Sequence, residues 1–159
     1  MAINANINDH SKFDLGTRKL SIDATWANVA VPVGRFFYSL IFIFSSLFHF
    51  RSSAVDYATS QGVPLANLLV PLSGLMILIG GVSILLGYRA RIGAILIVLF
   101  LIPVTLIMHK FWTINDPMMA QIQQVNFMKN ISMLGAAILI CYFGSGPISL
   151  DNQSTKYER

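Results

Sequence analysis

Apolar residues in this chain fall in long, nearly unbroken runs rather than alternating with polar ones, and those runs predict the architecture. A helix needs about 20 apolar residues to cross a hydrocarbon core of about 30 Å. Runs that meet or approach this length predict spans over about residues 29–50, 65–86, 92–112 and 118–143. The first is broken only by Arg35, and the second follows Gly62-Val63-Pro64, where proline suits the start of a helix. The third is continuously apolar to Met108 and is extended by His109, Lys110, Phe111 and Trp112. The fourth reaches backwards toward Asp116-Pro117, a cap followed by a first-turn proline, and stops at Gly144-Ser145-Gly146-Pro147. A transmembrane barrel would need alternation along each strand, which is missing. Spacers of about 14, 5 and 18 residues make sequential spans antiparallel neighbours. The prediction is an all-α polytopic membrane protein built as an antiparallel four-helix transmembrane bundle.

Composition removes the soluble alternative. Of 159 residues, 55% are hydrophobic and 11% charged, against about 25% charged in a soluble domain. Four apolar helices in so short a chain would leave too little polar surface to coat them. The net charge of +4 is scattered over the spacers and forms no basic patch, so nucleic acid is not an expected partner. Residues 1–28 are polar and lack the apolar stretch of a cleavable signal; they are expected to lie at the interface. Residues 152–159 form a polar tail after a membrane domain over 29–151. Seven lysines and arginines fall on the side of the termini (Lys12, Arg18, Lys19, Arg89, Arg91, Lys156, Arg159), against three on the other (Arg51, Lys110, Lys129). Basic residues concentrate in cytoplasmic loops, which predicts a multi-pass inner-membrane protein with both termini cytoplasmic.

Small residues (Gly74, Gly80, Gly81, Ser83, Gly87, Gly93 and Ala94, then Gly135 to Ala137) mark faces where helix backbones can approach closely in lipid. Pro71 and Pro103 lie inside spans, where each is expected to kink its helix. Cys141, the single cysteine, has no disulfide partner in the chain and sits in an apolar helix, where a thiol is inert.

Few residues offer chemistry. Arg35 lies about six residues, roughly 9 Å, inside the first predicted span. It can snorkel to headgroups, or turn inward to bind an anion or polarise a quinone-like carbonyl; no carboxylate within the spans can neutralise it. His49 and His109 close the first and third spans at matching depth, where two imidazoles could hold a haem iron or a metal, though nothing else marks such a site. His109 is alternatively a proton carrier to a redox ligand. Phe111 and Trp112 form either part of an interfacial aromatic belt or a stacking wall for a flat, lipid-soluble ligand. No Ser/His/Asp triad, phosphate loop or paired carboxylate is present, so catalytic residues are not assigned.

Several short motifs together resemble the DoxX family. They are Gly34-Arg35, Gly62-Val63-Pro64, Gly80-Gly81 with Leu86-Gly87, His109-Lys110-Phe111-Trp112, Asn126-Phe127-Met128-Lys129-Asn130, and the closing run from Gly144-Ser145-Gly146-Pro147 to Asp151. The resemblance implies a bacterial four-helix inner-membrane protein, a small subunit of or accessory to a quinone-linked redox system. Ile77 stands where that family commonly has a glutamate, and His49 where a lysine is frequent. The expected ligand is a quinone rather than haem, held by His109, Trp112, Phe111, Arg35 or His49, with the outer pair His109 and Trp112 favoured. A redox partner protein or a homo-oligomer would complete the system. A non-enzymatic anchor or assembly partner is the alternative, and a small permease ranks below both.

Overall fold

The computed structural model describes residues 24–152. Five α-helices follow one another: α1 (Ala24–Phe48), α2 (Ser52–Ser60), α3 (Ala66–Leu86), α4 (Ala90–Met108) and α5 (Pro117–Phe143), with a short 3-10 turn at Phe111–Thr113. Four stretches are long and apolar enough to cross a membrane: Asn28–Phe48, Ala66–Leu86, Ala90–Thr113 and Pro117–Phe143. The predicted all-α, four-span architecture is therefore present, and no strand occurs among the described residues. Residues 1–23 and 153–159, which carry five of the basic residues used to orient the chain, lie outside the described residues, as does most of the expected interfacial segment.

The helix ends follow their local chemistry. The Asp116 carboxylate accepts a hydrogen bond from the Met119 N–H (2.7 Å), and Pro117 fills a first-turn position that needs no donor. Between α3 and α4 the chain reverses within three residues. Gly87 (φ 63°) and Arg89 (φ 48°) are both left-handed, and the Ser83 hydroxyl donates to the carbonyl of Tyr88 (2.6 Å). Pro71 and Pro103 remain within continuous helices. The short α2 was not foreseen: the 51–64 spacer contains no long apolar run, yet Ala58 packs against Ala66 and Val70 beneath the start of α3.

Helix register proves the antiparallel arrangement. A Cβ at Gly81 would meet the Ser39 carbonyl, and a Cβ at Gly74 the Ser46 carbonyl, so α1 and α3 run in opposite directions. The Arg91 carbonyl near Cys141 at one end and His109 against Gln123 at the other do the same for α4 and α5. The bundle closes where the Tyr38 hydroxyl donates to the Met133 carbonyl (3.0 Å), joining α1 to α5. Phe42, Ile77, Ile84, Ala94, Ile97, Leu101 and Ala137 form the core. Apolar residues such as Phe37 and Leu68 face outward, as lipid permits. Lipid supplies no hydrophobic drive for helices to associate, so close backbone contact must hold them. At the α3–α4 crossing a Cβ on Gly80 would lie 2.9 Å from the Gly93 carbonyl oxygen, and a Cβ on Gly93 2.8 Å from that of Gly80.

On the termini side, Arg35 is 5% exposed. Its Nη1 donates to the Ser145 carbonyl and its Nη2 to that of Ile148, both at 2.6 Å. Gly87 lies against the same guanidinium; a Cβ there would collide with Nη1 and with Ser149. Asp151 is the nearby negative charge, with its N–H donating to the Gly87 carbonyl (3.1 Å) and its Oδ1 accepting from the Arg89 N–H (2.9 Å). Arg35 therefore does not snorkel: its guanidinium is turned inward onto backbone carbonyls. Continuing the α1–α3 register puts about residue 33 level with Gly87, so the first nine or so residues of α1, roughly 13 Å, project past the α3–α4 turn.

Two stability predictions follow from this packing. Gly93→Ala should destabilise the detergent-solubilised protein by about 1–3 kcal/mol, because neither backbone at the crossing can yield freely. Gly135→Ala should leave it unchanged, since nothing lies within 4 Å of a Cβ there; thermal unfolding of both variants decides. Arg35→Leu strands two carbonyls, at about 1–3 kcal/mol each, and should expose residues 144–152 to limited proteolysis. Arg35→Lys should restore only part of the loss, because one ammonium lacks the fork that reaches both oxygens.

Candidate functional site

The candidate residues separate into three places. Arg35 belongs to the termini-side junction just described. His49 follows α1 directly, and its Nδ1–H donates to the Ser45 carbonyl (2.9 Å). Its ring packs edge-on against Phe100 at 5.7 Å, and its Cβ lies where a side chain on Gly74 would go. His109 is nine residues beyond Phe100 along α4, roughly 13 Å further from the termini side. The expected matching depth of the two histidines is thus corrected: α1 ends well short of α3 and α4, and α2 covers the difference. Among the described residues no group of three or more His, Cys, Asp or Glu is placed to hold a metal.

His109, Phe111 and Trp112 do come together, at the end of the bundle opposite the termini. His109 caps α4, and its Nδ1 lies 2.7 Å from Oε1 of Gln123 on α5. An amide oxygen can only accept, so Nδ1 carries the proton and Nε2 of the neutral ring remains an acceptor. The Gln123 amide in turn donates to the Tyr57 hydroxyl of α2 (3.5 Å). One helical turn along α5, Phe127 meets Phe111 and Trp112 edge-on, with centroids 5.6 and 5.9 Å away. Phe111 and Trp112 contact each other at 5.1 Å, and Trp112 is 57% exposed. An oriented imidazole therefore sits beside a three-ring aromatic face that is open on the Trp112 side.

Gln123 and Tyr57 were missed from sequence. Gln123 lies four residues before Phe127, on one face of a helix, which was the available signal. Tyr57 carried no signal, because the spacer around it was not read as a helix. Two surface grooves lie elsewhere, both beside Arg89 on the termini side.

Comparison with known proteins corrects the expected family. The SURF4 family profile matches residues 31–157. The inner membrane protein YphA of Escherichia coli (strain K12) is 30% identical over 114 residues, covering 72% of this chain and 80% of that protein. No solved structure matches. Nothing in these comparisons points to the DoxX family. The motifs that suggested it are short, and several are demanded by geometry: Gly80 by the helix crossing, and Arg35, Gly87 and the 144–151 run by one buried junction. Four-helix membrane proteins with similar junctions can share such fragments without sharing a family. This chain, an integral membrane protein, belongs to the SURF4 family.

Proposed function

We propose that the protein is a binding subunit within the membrane whose recognition site is the His109–Gln123–Phe111–Trp112 end, and that its ligand class is a flat, lipid-soluble molecule with a hydrogen-bonding head, the quinone type. The carrying observation is the imidazole held by Gln123 beside the aromatic trio, with Nε2 uncommitted. A neutral Nε2 accepts a hydrogen bond from a quinol hydroxyl; the protonated ring donates one to a quinone carbonyl. Trp112 and Phe111 supply the stacking surface, and a ligand could reach them sideways from the bilayer. This chain would bind and orient the ligand while a partner protein carries the electrons. The cytoplasmic membrane is the proposed location, supported by the printed description of YphA as an inner membrane protein. Cytoplasmic termini are supported by the distribution of lysine and arginine.

Trp112 provides the readout, as Trp26 is the only other tryptophan. A short-chain quinone analogue should quench the fluorescence of the purified protein, and Trp112→Phe should remove most of the saturable quenching. His109→Ala should weaken binding by about tenfold, the value of one hydrogen bond near 1.4 kcal/mol. Gln123→Ala should weaken it less, since it frees the ring without removing it. Unchanged affinity in the combined His109→Ala and Trp112→Ala variant would sink the placement.

A second reading, an assembly partner without a small ligand, is favoured by α5. This helix is the least buried of the four spans, and Gly135 on it faces open space. A photo-reactive residue at position 135 should then capture a partner protein or a second copy in intact membranes. Recovery of uncoupled monomer alone would count against it.

A further inference from the structure

A second site, independent of the one above, is built at the termini side around the start of α4. On the outer surface of α3 and α4 runs a groove of about 430 Å³. Leu78, Ile79, Val82, Leu86, Ile92 and Leu96 form its apolar walls, and its floor is recessed because Ser83 and Gly93 add little bulk there. From Leu86 to Leu78 is eight residues, roughly 12 Å. That approaches the roughly 15 Å depth of one leaflet's hydrocarbon. The groove is therefore open to lipid and ends near the bilayer midplane.

Its upper end is not apolar. Tyr88 and Arg89 line it there, and Arg89 together with Ile92 also lines an adjoining cleft of about 680 Å³ on the other flank of α4. That cleft holds Arg91, Phe143, the 144–147 loop, Asp151 and Asn152. Arg89 thus stands at the mouth of the apolar groove and shares the adjoining cleft with Arg91. Among the described residues neither makes a salt bridge: Arg89 lies 5.8 Å from the Tyr88 ring, and Arg91 lies along the Gly144 backbone. Among the described residues Asp151 is the carboxylate lining the cleft, and its Oδ1 is engaged by the Arg89 N–H. The arrangement is positive at headgroup depth and apolar below it.

We propose that this place binds one anionic phospholipid of the leaflet on the termini side, its phosphate between Arg89 and Arg91 and one acyl chain in the α3–α4 groove. Charge and shape are both needed: a free anion would ignore the groove, and a zwitterionic lipid would gain less from the arginine pair. The occupant also explains how two cations that make no salt bridge among the described residues are accommodated beside an apolar surface, since phosphate accepts from guanidinium with matching geometry.

The test uses the full-length protein, stripped of lipid in mild detergent and titrated with phosphatidylglycerol or phosphatidylcholine of identical chains, with native mass spectrometry as the readout. Phosphatidylglycerol should be retained at least tenfold better. A basic residue near an anionic surface contributes about fivefold in affinity, so the double variant Arg89→Gln, Arg91→Gln should lose about thirtyfold for phosphatidylglycerol. Binding of phosphatidylcholine should be unchanged, and the lysine pair (Arg89→Lys, Arg91→Lys) should keep most of the preference. Ile79→Trp, which fills the groove without touching the arginines, should weaken phosphatidylglycerol as well. Equal retention of the two lipids by the unmodified protein overturns the proposal whatever the variants do. Displacement of phosphatidylglycerol by equimolar inorganic phosphate, or indifference to Ile79→Trp, would also overturn it by reducing the site to a surface anion contact.

Discussion

A guanidinium removed from water must find acceptors, and in this fold both terminal nitrogens of Arg35 find them, with Nε left buried and unpartnered, by bringing distant parts of the chain to one point. Arg35 comes from α1, its acceptors Ser145 and Ile148 from the loop after α5, and Gly87 from the turn between α3 and α4. Asp151 then ties that loop back to Gly87 and Arg89. All four spans are thus fixed at one end by a network that no single span could complete. Gly87 is needed for two reasons, a left-handed φ of 63° and the absence of a Cβ that would displace Nη1. Deleting one member leaves its partners buried and unsatisfied, which costs more than the net worth of the contact itself.

Away from that end, cohesion comes from shape. Lipid tails are as apolar as the side chains they touch, so helices associate only where backbones can approach. Gly80 and Gly93 provide this between α3 and α4, and Gly74 and Gly81 between α3 and α1. Interior hydroxyls are satisfied within their own helices: Ser39 donates to the Arg35 carbonyl, Ser46 to Ile43 and Thr105 to Leu101. They contribute nothing to a continuous polar route, and Ile77, fully buried, fills the centre of the core with hydrocarbon.

Much of this was legible in the amino-acid order, and the rest was hidden for identifiable reasons. Apolar runs give the spans because bilayer thickness imposes a length, and Asp116-Pro117 and Gly87 mark ends because caps and left-handed turns demand particular residues. The short α2 was invisible because nine residues of mixed polarity carry no such constraint. Arg35 was singled out correctly as unusual, but its partners are 110 and 113 residues away in sequence, and they are backbone carbonyls, which no residue type announces. The two histidines looked equivalent because each ends an apolar run. Their depths differ because α1 is displaced along its axis relative to α3 and α4, and register is a property of packing rather than of any one segment. His109 and Trp112, three residues apart, were brought together by sequence proximity alone; Gln123 completes their surroundings only through the pairing of α4 with α5.

An interior with satisfied hydroxyls and a hydrocarbon centre leaves chemistry to the ends. At one end the imidazole of His109, held by Gln123, lies about one turn of α5 from the Phe111–Trp112–Phe127 cluster; at the other, Arg89 lies between an apolar groove and the cleft it shares with Arg91. The two lie in opposite leaflets, joined by helices whose crossings allow little give where backbone oxygens would meet an added Cβ at under 3 Å. A ligand at one end can reach the other only by shifting whole helices, because no chain of interior side-chain hydrogen bonds links them.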